Sequence, residues 1–160
     1  MRIPALGLDA PVVPVAMSAS GSAALVPPDD PATLGWWTGG AAPGAGDGTV
    51  LVTGHTVHSS EGLPGGGALD DLETVAPADA VVVVTGAGRV RYRVQRVEVL
   101  AKAELAAAAY RLFGPTPTPR LVLVTCEDWD GAGYRSNVVV LATPVRMAGH
   151  AEGAPDPRGT

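Results

Sequence analysis

The stretch Leu121-Val122-Leu123-Val124-Thr125-Cys126 carries the only cysteine of the chain. Its apolar residues are typical of a buried strand, and Cys126 stands where that strand ends. The next residues, Glu127-Asp128-Trp129-Asp130-Gly131, predict a polar loop. A free cysteine is most often a packing residue, whereas one at a strand end is placed to face a cleft. Both interpretations of Cys126, structural and reactive, are open at this point.

The composition indicates one β-rich domain. The 160 residues are enough to bury a core, and the 46% that are apolar exclude a disordered chain. Aromatic residues make up only 4%, so we expect a core of Val, Leu and Ala. The 21 glycines and 15 prolines predict many turns.

The charge pattern argues against two classes of partner. The 16 acidic and 11 basic residues give a net charge of −5 with no evident basic stripe, so we expect no nucleic-acid partner. Lys102 is the only lysine, which argues against a polybasic membrane anchor. No stretch is apolar enough to span a bilayer, and no signal peptide opens the chain. The sequence from Met1 therefore suits a cytosolic protein or an excised part of a longer one.

Short strands dominate the rest of the chain. The run from Ala80 to Thr85, a Gly-Ala-Gly turn and the run from Arg89 to Leu100 predict a hairpin. Alternation in the second run assigns Val90, Tyr92, Val94 and Arg96 to one face, and Arg91, Arg93, Gln95 and Val97 to the other. Further strands are predicted at 49–53 and 137–143, an edge strand or arm at 3–15, and short helices at 68–75 and 103–110. This pattern predicts a small all-β barrel.

Two further residues could support chemistry at Cys126. His55 follows the predicted strand Thr49-Val50-Leu51-Val52-Thr53 and could accept a proton and return it to a leaving amine. A thiol with the ordinary pKa of about 8.5 is only a few per cent thiolate at neutral pH, so such a partner is needed. Arg135 stays protonated and could donate to an oxyanion, or pair with the acids at positions 127, 128 and 130.

Other polar residues predict no further site. His58 is expected to be a surface histidine, and His150 lies in the tail. The acid pairs Asp29-Asp30 and Asp70-Asp71 are typical of turns and helix starts. One cysteine and two histidines outside the tail are too few for a zinc site, and the glycine-rich loops match no nucleotide-binding motif. We therefore expect neither a metal nor another cofactor.

The order and spacing of several motifs resemble the sortase family. They are the opening Ile3-Pro4-Ala5-Leu6-Gly7-Leu8-Asp9-Ala10-Pro11-Val12, then Gly35-Trp36-Trp37 with Pro43-Gly44, Thr53-Gly54-His55, the T-L-x-T-C match at 122–126, and Tyr134-Arg135-Ser136-Asn137-Val138-Val139-Val140. The first and last are most similar to class F sortases of actinobacteria, with class E less similar. The resemblance implies a closed eight-stranded β-barrel with short helices over residues 1–147. Residues 148–160 are predicted to be a disordered tail.

The resemblance also implies a mechanism. Cys126 is the nucleophile that attacks the Thr–Gly bond of an LPxTG-type sorting signal on a surface protein. His55 is the general acid and later the base, Arg135 holds the substrate and stabilises the oxyanion, and Thr125 lies beside it as a substrate-binding residue. An amine of a peptidoglycan precursor resolves the thioester. The implied location is the extracytoplasmic face of the membrane, with an N-terminal anchor that precedes this sequence.

Two departures from the family pattern leave alternatives to weigh. Val122 replaces the first threonine of T-L-x-T-C, where we expect a change of packing. Glu127 and Asp128 follow the cysteine directly and are expected to raise its pKa by repulsion, or to pair with Arg135. An L,D-transpeptidase also uses one cysteine and one histidine, but Thr125-Cys126-Glu127 lacks its turn motif. A non-catalytic peptide- or cell-wall-binding barrel with a structural cysteine is the other alternative.

Overall fold

A computed structural model describes residues 1–16, 26–56, 66–129 and 131–145, with only the backbone for residues 127–129. Within them a single sheet has nine strands in the order β2-β1-β6-β7-β9-β8-β5-β4-β3. The strands are β1 (Arg2–Ile3), β2 (Leu8–Asp9), β3 (Val12–Val15), β4 (Leu34–Trp37), β5 (Thr49–Thr53), β6 (Ala80–Thr85), β7 (Gly88–Ala101), β8 (Arg120–Trp129) and β9 (Tyr134–Pro144). One helix, α1 (Lys102–Phe113), connects β7 to β8. His58, His150 and the predicted tail lie outside the described residues.

The sheet curls around its main core. Ile3 of β1 and Leu34 of β4 lie far apart in the strand order, yet both belong to one buried cluster with Val52, Leu123 and Val140. The curled all-β architecture with few helices confirms the predicted class. The described strands number nine, whereas the resemblance to sortases implies eight.

Two differences change the strand count: β4 at Leu34–Trp37 is not predicted from sequence, and the predicted arm from Ile3 to Val15 is divided. A 3-10 turn at Pro4–Leu6 interrupts it, and Gly7 adopts the left-handed conformation with φ of 63°. A residue with a Cβ adopts that conformation only at a cost, so glycine suits this position. Three short strands, β1, β2 and β3, therefore replace one arm.

The two predicted helices have different outcomes. Helix α1 confirms the prediction for 103–110 and is longer at both ends, and it stops at Gly114 before a proline-rich segment. The predicted helix at 68–75 is wrong: the segment forms turns and a single 3-10 turn at Leu72–Thr74. Asp71 is in the left-handed conformation with φ of 58°, which interrupts an α-helix. Leu69, Leu72 and Val75 are buried all the same, so turns satisfy the helical spacing.

The predicted hairpin is confirmed, but its alternation changes at a β-bulge. Strands β6 and β7 pair from Ala80 with Arg93 to Thr85 with Gly88. Between Val94 and Arg96 the register with β9 shifts, so that Gln95 is the extra residue. Arg96 then pairs with Leu141 of the surface under α1, and Val97 packs against the main core. The sequence assignment of Arg96 to the inner face and Val97 to the outer face is therefore wrong.

Three neighbouring strands bring the chemically interesting segments together. Strand β5 runs parallel to β8, with Thr53 opposite Val124, so the end of β5 lies beside the part of β8 that carries Cys126. Strand β8 itself continues to Trp129, so the sequence prediction that the strand ends at Cys126 and a loop begins at Glu127 is wrong. Strand β9 runs antiparallel to β8, with Asn137 opposite Cys126. On the inner face these strands build the main core, and on the outer face α1 covers a second cluster of Leu51, Leu112, Val122 and Val139.

Candidate active site

Cys126 lies on the outer face of β8, at the point where α1 no longer covers the sheet. Val122, which lies four residues earlier on the same face, is fully buried beneath the helix. Val124 and Cys126 are partly exposed. Side chains at alternate positions of a strand share a face, so Val122, Val124 and Cys126 form one row on the outer face. The cysteine faces the surface and does not fill the main core.

A groove of about 590 Å³ opens beside the thiol between the sheet and α1. Apolar side chains from β4, β5, β8 and α1 line most of it, among them Trp37, Leu51, Val124, Leu105 and Phe113. Pro27, Thr125 and Asn137 also line it, and Tyr110 of α1 does so although it is 81% exposed. A concave, mainly apolar groove with a few polar groups is typical of a ligand site.

His55 lies just beyond the end of β5. Gly54 donates its backbone N–H to the carbonyl of Val124 at 3.3 Å, which continues the β5–β8 ladder to the residue before His55. A Cβ at position 54 would lie 2.6 Å from Cδ2 of Leu34 and 2.8 Å from Cγ of Leu69. Glycine therefore allows the close packing that places His55 at the end of β5, next to the part of β8 that carries Cys126.

The imidazole of His55 has a defined backbone partner. Its Nε2 lies 2.7 Å from the carbonyl oxygen of Pro28. A carbonyl oxygen can only accept, so Nε2 carries the hydrogen of this bond. In a neutral ring the other nitrogen, Nδ1, is then the proton acceptor.

A hydrogen-bond network joins three segments around Thr125. Its hydroxyl donates to the carbonyl of Gly54 at 3.0 Å, and Oγ1 of Thr56 lies 2.7 Å from it. Because Thr125 has a single hydroxyl hydrogen, Thr56 is the donor in the second bond. Tyr134 at the start of β9 donates its hydroxyl to the carbonyl of Thr56 at 2.7 Å. The segment that carries His55 is thus fixed to β8, the strand of the thiol, and to the start of β9 beside it.

Arg135 and Asn137 share the outer face of β9. Asn137 is opposite Cys126, and Arg135 stands two residues nearer the start of the strand, where it is exposed. Asn137 donates its side-chain amide to the carbonyl of Thr125 at 3.1 Å, and the same nitrogen lies 3.9 Å from Sγ of Cys126. Sequence reasoning quoted Asn137 in a motif but gave it no role, since its place beside the thiol follows from the pairing of β8 with β9.

Burial raises the pKa of the Cys126 thiol above its ordinary value, and the positive charge of Lys102 on α1 partly opposes this. The direction agrees with the sequence prediction, and the side chains of Glu127 and Asp128, whose repulsion that prediction names as the cause, lie outside the described residues. Within the described part of the chain, no group of three His, Cys, Asp or Glu side chains is arranged to hold a metal. The described helices also include none that is long and apolar enough to cross a membrane.

These features define a class of protein, an enzyme that uses a cysteine in acyl transfer. A profile of the sortase domain matches residues 1–145, and the chain belongs to the sortase family. Sortases are cysteine transpeptidases found at the cell surface. These matches do not favour the alternative of a non-catalytic barrel.

Solved sortase structures share the fold. Sortase C1 of Streptococcus agalactiae, in complex with MTSET, superposes with a TM-score of 0.67 at 18% identity, over 91% of this chain and 67% of its own. A lid mutant of sortase A from Corynebacterium diphtheriae gives a TM-score of 0.65 at 23% identity, with coverages of 91% and 68%. Sortase C-1 of Actinomyces oris gives 0.65 at 18%, with coverages of 91% and 72%. A search of curated proteins found no match.

Proposed function

We propose that this sortase cleaves an LPxTG-type sorting signal between Thr and Gly and transfers the acyl group to an amine of a peptidoglycan precursor. The observation that carries the proposal is the position of Cys126. The thiol lies on the outer face of β8, in an apolar groove of about 590 Å³, beside the end of β5 that leads to His55. An extended peptide with apolar residues fits such a groove.

His55 takes the proton of the Cys126 thiol, and the resulting thiolate attacks the threonine carbonyl carbon and forms the S–C bond. When the tetrahedral intermediate collapses, the C–N bond breaks, and His55 donates a proton to the departing glycine amine. The product is a thioester between the enzyme and the amino-terminal part of the signal. An incoming amine then attacks the thioester, gives its proton to His55, and releases the thiolate.

The remaining polar groups assist this sequence. Arg135 donates hydrogen bonds to a substrate carbonyl and to the oxyanion, a role that its place on the outer face of β9 supports. Thr125 lines the groove, but its hydroxyl bonds to Gly54 and Thr56. We therefore assign Thr125 to positioning the segment that carries His55.

The finer classification is also part of the proposal. We place the chain in class F, on the resemblance of Tyr134-Arg135-Ser136-Asn137 and the residues after it. The catalytic domain extends over 1–147, its nine-stranded sheet closes into the barrel of the family, and an N-terminal segment anchors the enzyme to the membrane.

A fluorogenic peptide with an LPxTG sequence tests the proposed function. We expect the wild type to cleave it between Thr and Gly, and mass spectrometry to detect an acyl adduct on Cys126. Cys126→Ala removes the nucleophile and is expected to abolish both signals while circular dichroism stays unchanged. Undiminished cleavage by Cys126→Ala would remove the cysteine from the mechanism. Reaction with the thiol reagent iodoacetamide but not with any sorting peptide would reject the substrate class alone.

A further inference from the structure

The outer surface of the hairpin β6–β7 concentrates positive charge in a chain that is acidic overall. Arg89, Arg91 and Arg93 occupy alternate positions of β7 and are exposed, while Tyr92 and Val94 between them are 2% and 1% exposed. Alternate residues of a strand lie about 7 Å apart on one face. The three guanidinium groups therefore form a column on the outside of the sheet, although the sequence itself shows no evident basic stripe.

The strand register extends this charge across the sheet. Val82 of β6 pairs with Arg91 on one side and with Arg2 of β1 on the other. Partners in antiparallel strands share a face, so Arg2 and Arg91 flank Val82 in one row. We call the surface that carries Arg2, Arg89, Arg91 and Arg93 the arginine face.

Acidic side chains neutralise little of the arginine face. Asp9 pairs with Arg2 at 3.0 Å, and both side chains are more than half exposed. No ion pair joins Arg89, Arg91 or Arg93 to an acid within the described residues. Farther along β7, the ion pairs seen among the described residues involve Glu98, which bonds to Arg96 at 2.7 Å and to Arg111 at 3.5 Å.

An apolar column runs beside the arginines. Ala80, Val82 and Val84 of β6 pair with Arg93, Arg91 and Arg89, so their side chains share the outer face. Val84, next to the hairpin turn, is 51% exposed. A soluble polyanion would contact only the arginines. The surface of a bilayer offers phosphates to the arginines and acyl chains to the apolar column, so it matches both.

We propose that the arginine face docks on the surface of an anionic phospholipid bilayer. Arginine suits this task because its guanidinium forms paired hydrogen bonds with phosphate oxygens. Sortases act at the cell surface, where such a bilayer is within reach. In the strand order β9 and β8 separate β7 from β5, so the groove beside Cys126 lies on other strands than the docking face. The enzyme can therefore meet the membrane and its peptide at the same time.

Sedimentation with lipid vesicles tests the proposal on the 160-residue chain. We expect it to bind vesicles that contain equal parts phosphatidylglycerol and phosphatidylcholine, and not pure phosphatidylcholine. Because each basic residue near an anionic surface contributes about fivefold, the triple variant R89Q/R91Q/R93Q should bind on the order of 100-fold more weakly. Binding should also fall steeply with added salt.

Two further variants separate charge from other effects. R89K/R91K/R93K keeps the positive charge and should retain most of the binding, whereas V84S should weaken it a few-fold at unchanged charge. Peptide cleavage in solution should be unchanged in all of them, which also reports on folding. Equal binding to both vesicle types, equal binding by the glutamine variant, or binding to soluble polyphosphate but not to vesicles would overturn the proposal. None of these outcomes depends on which peptide the enzyme cleaves.

Discussion

The two faces of β8 differ in what their residues do. Leu121, Leu123 and Thr125 point to the inner side of the curled sheet and are at most 2% exposed. Val122, Val124 and Cys126 alternate with them on the outer face, where exposure grows from a fully buried Val122 to the partly exposed Cys126. The same ten-residue strand therefore closes the core on one side and opens a groove on the other.

The way α1 covers the outer face explains the difference. Leu112 of the helix and Val122 are fully buried in one cluster, so the first half of the outer row is covered like a core. Leu105 and Phe113 of the same helix line the groove together with Val124 and Cys126. The comparison teaches that changes on the inner face should affect stability, and changes on the outer face should affect reaction with substrate.

The largest expected effect concerns the groups beside the thiol. His55→Ala removes the proton donor and acceptor, and should lower the rate of peptide cleavage by roughly 10²–10⁴-fold. Arg135→Ala removes hydrogen bonds to the developing oxyanion and should cost roughly 10²–10³-fold. Neither should change the unfolding midpoint in urea by much. His58→Ala is the matched control and should leave the rate unchanged. Full activity in His55→Ala would show that His55 is not the proton donor and acceptor of the reaction.

A pair of neighbouring substitutions tests the two faces directly. Leu123→Ala opens a cavity in the main core and should lower the free energy of unfolding by about 2–5 kcal/mol. Val124→Ala, one residue on, removes fewer buried atoms at the wall of the groove and should cost about 1 kcal/mol. Its main effect should be a higher KM for peptide. Urea denaturation and cleavage kinetics measure both variants, and equal losses of stability would contradict the division between the faces.

The sequence predicts the strands well because apolar runs are local signals. The runs that contain Leu123 and Val52 are confirmed as adjacent buried strands. The bulge at Gln95 is not predictable in this way, because it depends on how β7 pairs with a strand some 40 residues later. Likewise, Leu69, Leu72 and Val75 have helical spacing, yet the left-handed Asp71 sets a turn that composition does not reveal.

The site divides in a similar way. Cys126 and His55 are visible in sequence because each follows an apolar run, although β8 continues past Cys126 to Trp129. Their proximity depends on the parallel register of β5 and β8, and the groove depends on the placement of α1 over the sheet. Asn137 has no local signal at all, since only its place across from Cys126 brings its amide near the thiol.

Asn137 offers a smaller and sharper test of the outer face. Its amide nitrogen lies 3.9 Å from Sγ of Cys126 and donates to the Thr125 carbonyl. Asn137→Ala removes a donor that stabilises the thiolate, so alkylation by iodoacetamide at neutral pH should slow about fivefold, which corresponds to about 1 kcal/mol. Thr143→Ala on the same strand is the control. An unchanged alkylation rate in Asn137→Ala would mean that the amide only supports the backbone.

The smallest expected effect comes from Lys102, whose charge favours the thiolate while burial disfavours it. Because burial prevails, the pKa of Cys126 is raised, and the alkylation rate should still be increasing with pH where an ordinary thiol has levelled off. Lys102→Gln removes the opposing charge and raises this pKa further. The rate below the pKa should then fall about twofold at low salt, with no difference at pH values well above it.

Lys102→Arg keeps the charge and should behave like the wild type. Since Lys102 is exposed, salt at about 1 M should screen the charge and abolish the difference. A difference that persists in high salt would show that Lys102 acts through contact in the groove and not through its charge.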